Sequence, residues 1–329
     1  MNLNTFCPGV YTSVKKTSSG NGFGAVCIAA KAQNGNTGEA VTLYSKSAAI
    51  SVFSDPTDAA VLSAMVSAAF DNGAKKVYAV NCQAASDYLA AFEIFSSFED
   101  ATVIVCDSSD QAVLSALNTS VDTSVERGYE RFAVISVEAD NISLERGMRS
   151  VFVSQTSETL GVTSKHITAA AISGLICKGV YSNKNVNRSS FSGITLTDSI
   201  TQVTADSLLS SGITPVGVMG SCSVSRCICS FTDNGIKDIY SVIACDKVIR
   251  GARGVLTDLF ESAVSPTYSA IESKLIVFLE KAVDMGLISQ YERPILTPNT
   301  TDATICDILL SFTSAVGINQ IRLFAEVSI

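Results

Sequence analysis

The sequence predicts an α/β domain with a mostly parallel sheet, followed by an α+β domain of two helices and a small sheet. Three observations carry this reading. Apolar strand-like runs alternate with amphipathic helical patterns through the first half, as βαβ units require. Two long helical patterns then run from about residue 240 to Gly286. The chain ends on strand text. From Ile321 to Ile329 every odd position is apolar, which marks a strand with one buried face.

Residues 1–22 open the chain as an extended arm. In it Val10, Thr12 and Val14 share one face and Tyr11 and Ser13 the other, before the polar run KKTSSGNG. FGAVCIAAKA is a continuous apolar run suited to a buried strand. Asp55-Pro56 has the N-cap and N1 character of a helix start, with Ala60, Val61, Ala64, Met65, Ala68 and Ala69 as its apolar stripe and Gly73 as its stop. KKVYAVNC, ATVIVCD, ERFAVISVEA and RSVFVSQ read as strands. SDYLAAFEIFSSF, DQAVLSALNTSV and TSKHITAAAISGLIC read as helices. SNKNVNRSS (182–190) has linker composition. TADSLLSSG is a short helix, VGVMG and RCICSF a pair of strands, Tyr240–Phe260 a long helix, and Pro266 introduces another. ATICDILLSFTSA and the terminal segment return to strands.

Composition limits the function. The 329 residues are 47% apolar with a mean hydropathy of +0.32, so a folded core is expected. The net charge of −8 argues against a nucleic-acid partner. No apolar run reaches a membrane span, and Met1-Asn2-Leu3-Asn4 does not begin a signal peptide. The ten cysteines therefore read as reduced cytosolic thiols. Cys82, Cys106 and Cys177 sit in strand or helix patterns, and Cys222, Cys227 and Cys229 lack zinc-site spacing. Charged residues make up only 16%, a surface suited to being covered by partners.

No motif for chemistry stands out. The P-loop pattern and the G-x-S-x-G elbow are absent, and Gly20-Asn21-Gly22-Phe23-Gly24 precedes a strand instead of following one. His166 has no partner motif, and Glu280 and Asp284 fall on a solvated helix face. No catalytic, cofactor or metal residue is assigned, and an enzyme is not expected. Lys247, Arg250 and Arg253 recur every third residue on the first long helix, either as a solvated stripe or as a dock for an acidic surface.

Several segments, in order, resemble the tail sheath proteins of contractile phages and phage-like injection particles. Pro8-Gly9-Val10-Tyr11 is similar to the family's PGVY start. GAKKVYAVNC resembles the strand after the first helix of its α/β domain. The stretch from AAISGLICKGVYSNK to SSGITPV follows the family's order of Ala/Gly helix, Asn-bearing loop and short helix. YSVIACDKVIRGARGVLTDLFESAVSPTYSAIESKLIVFLEKAVDMGLI resembles its paired C-terminal helices. RCICSFTDNG replaces an aromatic-rich segment of the family, and the chain is short for a sheath.

The resemblance implies an N-terminal arm (1–22), an outer α/β domain (23–190), an inner α+β domain (191–316) and a C-terminal strand arm (317–329). It also implies a subunit that polymerises as stacked hexameric rings around an inner tube and contracts to drive the tube through an envelope. The arms, through Val10, Tyr11, Thr12, Ser13, Val14 and Ile321, Leu323, Phe324, Ala325, Val327, Ile329, would complete sheets in neighbouring subunits. Lys247, Arg250 and Arg253 become the tube contact. The implied partners are the chain itself, a tube protein, and baseplate and tail-terminator proteins, with no nucleic acid, membrane insertion or cofactor. Assembly is expected in the bacterial cytoplasm. The rival readings are an α/β enzyme or nucleotide-binding module with an ordinary edge strand, and a non-contractile shell or filament protein.

Overall fold

The computed structural model describes residues 24–139, 144–182, 184–231, 237–262, 266–302 and 304–315. The predicted strand arms at 10–14 and 321–329 lie outside the described residues, as does the segment Lys15–Asn21 before the first strand. The described residues divide into two compact units, 24–240 and 241–315.

The first unit opens with β1 (Ala25–Ala30), β2 (Ala40–Leu43), α1 (Lys46–Phe53), α2 (Leu62–Asp71), β3 (Lys76–Asn81), α3 (Ala85–Ser96), β4 (Ala101–Cys106) and α4 (Gln111–Glu126). It continues with β5 (Phe132–Ser136), β6 (Ser150–Val153), β7 (Ser157–Thr159), β8 (Val162–Ser164), α5 (Lys165–Ser182), β9 (Thr195–Leu196) and α6 (Gln202–Ser210). Its main sheet has the order β2-β3-β1-β4-β5-β6. All pairings are parallel except that of the edge strand β2 with β3. β1, β4, β5 and β6 are buried along their whole length, which is why each reads as an unbroken apolar run and not as an alternation.

One face of the sheet packs on α3 and α4 through Ala25, Cys27, Ile104, Ile135, Phe92 and Leu117. The side chains that alternate with these face α2 and α5. Helix α5 is apolar on every side because it is buried on every side from Ile167 to Cys177. Gly174 lets it lie directly against α2, since a Cβ there would stand 2.4 Å from the Ala69 carbonyl oxygen. The buried guanidinium of Arg131 holds the end of α3 by donating to the carbonyls of Phe95 (2.6 Å) and Phe98.

Several expectations need correction. Asp55-Pro56 does not start α2. Thr57 and Ala60 exchange backbone hydrogen bonds of 3.1 and 2.9 Å in a tight turn, and the helix begins at Leu62. Helix α1 and strand β2, which precede that turn, had no predicted counterpart. VGVMG and RCICSF are not strands but loops joined by isolated bridges, Val216 to Val224 and Ile228 to Asp238. Gly217 and Gly220 take φ of +76° and +78°, outside strand geometry. The Thr214 side chain occupies the backbone of Ile228, accepting its N–H at 3.1 Å.

SNKNVNRSS is not an interdomain linker. Val186 is buried, and Asn187 accepts from the Cys227 N–H and donates to Asp238. The first unit thus runs to Tyr240, well past the expected boundary at 190. Leu208 and Ile213 lie in its core, and Asn72 of α2 exchanges hydrogen bonds of 3.0 Å with the backbone of Ser192.

The second unit holds most of α7 (Ile239–Ser262), then α8 (Tyr268–Asp284), β10 (Ile288–Tyr291), β11 (Ile295–Pro298), β12 (Cys306–Leu309) and β13 (Phe312–Ser314). Thr267 caps α8 by accepting from the Ala270 N–H, one residue after Pro266, and Gly286 ends it at φ +68°. β10 pairs with β13 and β11 with β12, both antiparallel. The first ladder packs on Ala244, Val248, Leu279 and Ala282; the second packs on Ala252, Ile271 and Leu275.

Candidate assembly interface

Helix α7 carries Lys247, Arg250 and Arg253, and none of the three is a fully solvated side chain. All are half-buried. Each step of three residues falls about 60° short of a full turn, so the set spreads over about 120° of α7. Val248 and Ala252, interleaved with them, are in the core. Burial lowers the Lys247 ammonium to about 8, well below the usual lysine range.

Among the described residues, the strands after α8 form two ladders of two strands each. Leu296 and Ile308 turn toward the helices, whereas Ile295, Ile305 and Leu309 are 54%, 42% and 59% exposed. Ile295 and Leu309 are direct cross-strand partners, so they form an apolar pair on the outer face. A two-stranded ladder is marginal alone and gains from a third strand. β10 and β11 were missed in the sequence. YERPILTP offers only three residues between prolines, too few for alternation to register.

The rival reading can be tested at the carboxyl ends of β1, β3 and β4, where open α/β sheets hold their ligands. A crevice of about 230 Å³ lies there, lined by Lys31, Gln83, Tyr88, Asp107, Ser108 and Asp110. Several of its polar groups are engaged within the chain. Asp107 accepts from the Tyr88 hydroxyl at 2.5 Å and from the Lys31 N–H at 2.9 Å, and burial pushes its carboxyl up. Phosphate sites use free N–H groups at helix N-termini. Here Asp87 accepts from the N–H groups of Gln83 and Ala84 ahead of α3, and these bonds hold its carboxyl below the usual range. Asp110 does the same for Ala112 at α4. The chain's own carboxylates take up N–H groups at the starts of both helices.

The other predicted chemistry-bearing residues are dispersed. His166 lies at the start of α5, its pKa lowered to about 4, chiefly by burial. Cys27 and Cys106 are core thiols pushed up to about 12, and Cys227 and Cys229 are also buried, but Cys222 is exposed. Glu280 and Asp284 are exposed on α8. Among the described residues no group of His, Cys, Asp or Glu is arranged to hold a metal, and no helix is long and apolar enough to cross a membrane.

No family model and no curated protein matches the sequence. Solved structures do match. The helical sheath of the anti-feeding prophage in its contracted state is 14% identical, with a TM-score of 0.73 over 98% of this chain and 100% of that one. The contracted PVC sheath complex of an extracellular contractile injection system is also 14% identical, with a TM-score of 0.73 over 99% and 98%. A sheath tail protein from Listeria innocua is 12% identical, with a TM-score of 0.71 over 94% and 97%. Along nearly its whole length, this chain has the fold of contractile-sheath proteins.

Proposed function

We propose that the protein is the structural subunit of a contractile sheath, which polymerises as stacked hexameric rings around an inner tube and contracts to drive that tube through a target envelope. The observation that carries this reading is the end-to-end likeness to sheath chains, with 98% of this chain matched to 100% of the other. A shared single domain would leave large parts of one chain unmatched. The self-capped helix termini at the sheet switch point count against the nucleotide-binding rival.

In this reading residues 10–14 and 321–329 are donated to neighbouring subunits, where they extend sheets by β-augmentation. The two-strand ladders of the second unit are suitable acceptors. Each added backbone hydrogen bond contributes about 1 kcal/mol net. Each of Ile321, Leu323, Val327 and Ile329 contributes about 1.5–3 kcal/mol at full burial. A single linkage is modest, but repetition makes the polymer avid. The arms keep subunits joined while the folded units turn as rigid bodies between an extended, metastable state and a contracted one. Lys247, Arg250 and Arg253 meet the tube before contraction. Baseplate and terminator proteins close the ends, and assembly takes place in the bacterial cytoplasm before incorporation into a phage tail or phage-tail-like particle.

Negative-stain imaging of the purified chain, alone and with its tube protein, tests the reading. Rings or tubes are expected. Deleting Asn319–Ile329 should abolish them while the first unit stays folded, and polymers formed by the truncated chain would overturn the donated-strand mechanism. Charge reversal at Lys247, Arg250 and Arg253 should impair assembly on the tube, and unaltered co-assembly removes that contact.

A further inference from the structure

The two ends of the parallel sheet differ in charge. At the amino end Lys75, Lys178 and Lys184 are all exposed. Tyr181, at the end of α5, holds Lys75 against that helix. Its hydroxyl donates to the Gly73 carbonyl at 3.0 Å, and Lys75 Nζ lies 3.9 Å from its ring centroid. A Cβ on Gly73 would meet Lys178 Cβ at 2.9 Å, and one on Gly179 would meet the Lys184 carbonyl oxygen at 3.0 Å. The carbonyl end of a helix favours cations there. Among the described residues none of the three has a carboxylate within ion-pair distance, whereas nearby Lys46 and Lys76 are paired with Asp71 and Asp100.

The carboxyl end is acidic. Asp107 follows β4, and Asp87 and Asp110 begin α3 and α4 beside it. The turn that precedes α2 brings Asp55 and Asp58 to the same edge. The Leu62 N–H donates to the Lys31 carbonyl at the end of β1 (3.0 Å), and the Ser63 hydroxyl donates to the Ser54 carbonyl (2.6 Å). Asp55, Asp58 and Asp110 are exposed. Lys31 is the cation of that crevice lining.

We propose that the first units of neighbouring copies dock head to tail, the Lys75–Lys178–Lys184 corner of one against the Asp55, Asp58 and Asp110 edge of the next. Opposite charges at opposite ends of one body make the contact heterologous, and such contacts generate rings or helices, not closed dimers. The contact rests on the sheath reading for the polymer that it serves, but it is distinct from the terminal arms.

The test is self-association of the full chain by sedimentation velocity at low and high salt, with images of the same samples. Lys75→Glu, Lys178→Glu and Lys184→Glu together should weaken association about tenfold, as three exposed ion pairs imply, and remove most of its salt dependence. Asp55→Lys with Asp58→Lys should weaken it similarly. A chain carrying both sets should recover, which a folding defect would not allow, and circular dichroism checks each variant. Association of the lysine variant equal to wild type at low salt overturns the contact, and so does failure of the combined chain to recover. If rings or tubes form regardless, the contact falls and the sheath reading stands. If no polymer forms but salt-sensitive association is lost in the lysine variant, the contact stands and the sheath reading falls.

Discussion

In the unit of residues 24–240, four strands are buried end to end and helices cover both faces of the sheet. In the unit of residues 241–315, two helices cover one side of two short ladders, and Ile295, Ile305 and Leu309 stay exposed. The first region buries its central strands, while Tyr44, Val203 and Met219 stay exposed singly on its surface. Among the described residues the second has short two-strand ladders and an exposed apolar pair, Ile295 and Leu309, which the proposed function assigns to strands from other copies. The contrast is between a large sheet covered on both faces and small ladders covered on one.

The largest expected effect comes from dividing the two. A chain cut after Tyr240 should keep its far-UV dichroism and a cooperative urea transition. The complementary piece, 241–329, should show no cooperative transition as a monomer. A cooperative monomeric transition in that piece would mean that its ladders need no partner.

Next is Gly174→Ala. Its Cβ would stand 2.4 Å from a backbone oxygen of α2, where no flexible side chain can give way. Helices α2 and α5 must then part, at a cost of about 3 kcal/mol, read from the urea midpoint. The matching change in the second unit, Gly251→Ala, meets the Phe278 ring at 2.3 Å, and a ring can swing aside. A much smaller loss there is expected, and equal losses would contradict the contrast in packing.

The pH dependence of the first unit has a worked sign. His166 is held neutral in the fold down to about 4, while the ordinary value for a histidine is 6.5. Between those values the unfolded chain binds the extra proton, so stability falls as pH drops from 6.5 and the loss is complete near 4. The shift corresponds to about 3 kcal/mol. Asp107 acts in the opposite sense, because its raised carboxyl binds a proton more readily folded than unfolded. Lys165 and Glu138, an ion pair beside His166, also act on its ring. His166→Gln isolates the histidine contribution. Urea midpoints at pH 7 and 4.5 should lie closer together in the variant, and an unchanged difference would remove it.

How much was legible in the sequence follows the same division. Buried strands such as AVCIAA and ATVIVC and the long helices α7 and α8 announce themselves, because burial on all sides or along one stripe leaves a local pattern. Elements set by tertiary contact do not. The turn at Asp55-Pro56 looks like a helix start until the backbone bonds between Thr57 and Ala60 are seen. Strand β2 is an edge strand of mixed burial, and β11 has four residues. The lysine corner draws Lys75, Lys178 and Lys184 from distant positions, so no window of sequence contains it. The basic set on α7 was legible as residues but not as half-buried side chains, because burial is set by tertiary packing.

The smallest effect tests the boundary between the two regions. Composition placed it at 190, since SNKNVNRSS is rich in polar residues. Polarity in this stretch serves the fold, through Asn187 and through the bonds that Ser192 makes. Asn72 is buried at the end of α2, where its amide donates to the carbonyls of Ala68 (2.8 Å) and Ser192 (3.0 Å) and its oxygen accepts from the Ser192 N–H. Asn72→Ala leaves both groups of Ser192 without that partner, at a cost of about 2 kcal/mol. If residues 191–240 belong to the first unit, the chain cut after Tyr240 should lose the same amount as the full chain. If they belonged with the later helices, the cut chain would be indifferent to the change, and the boundary at 190 would be restored.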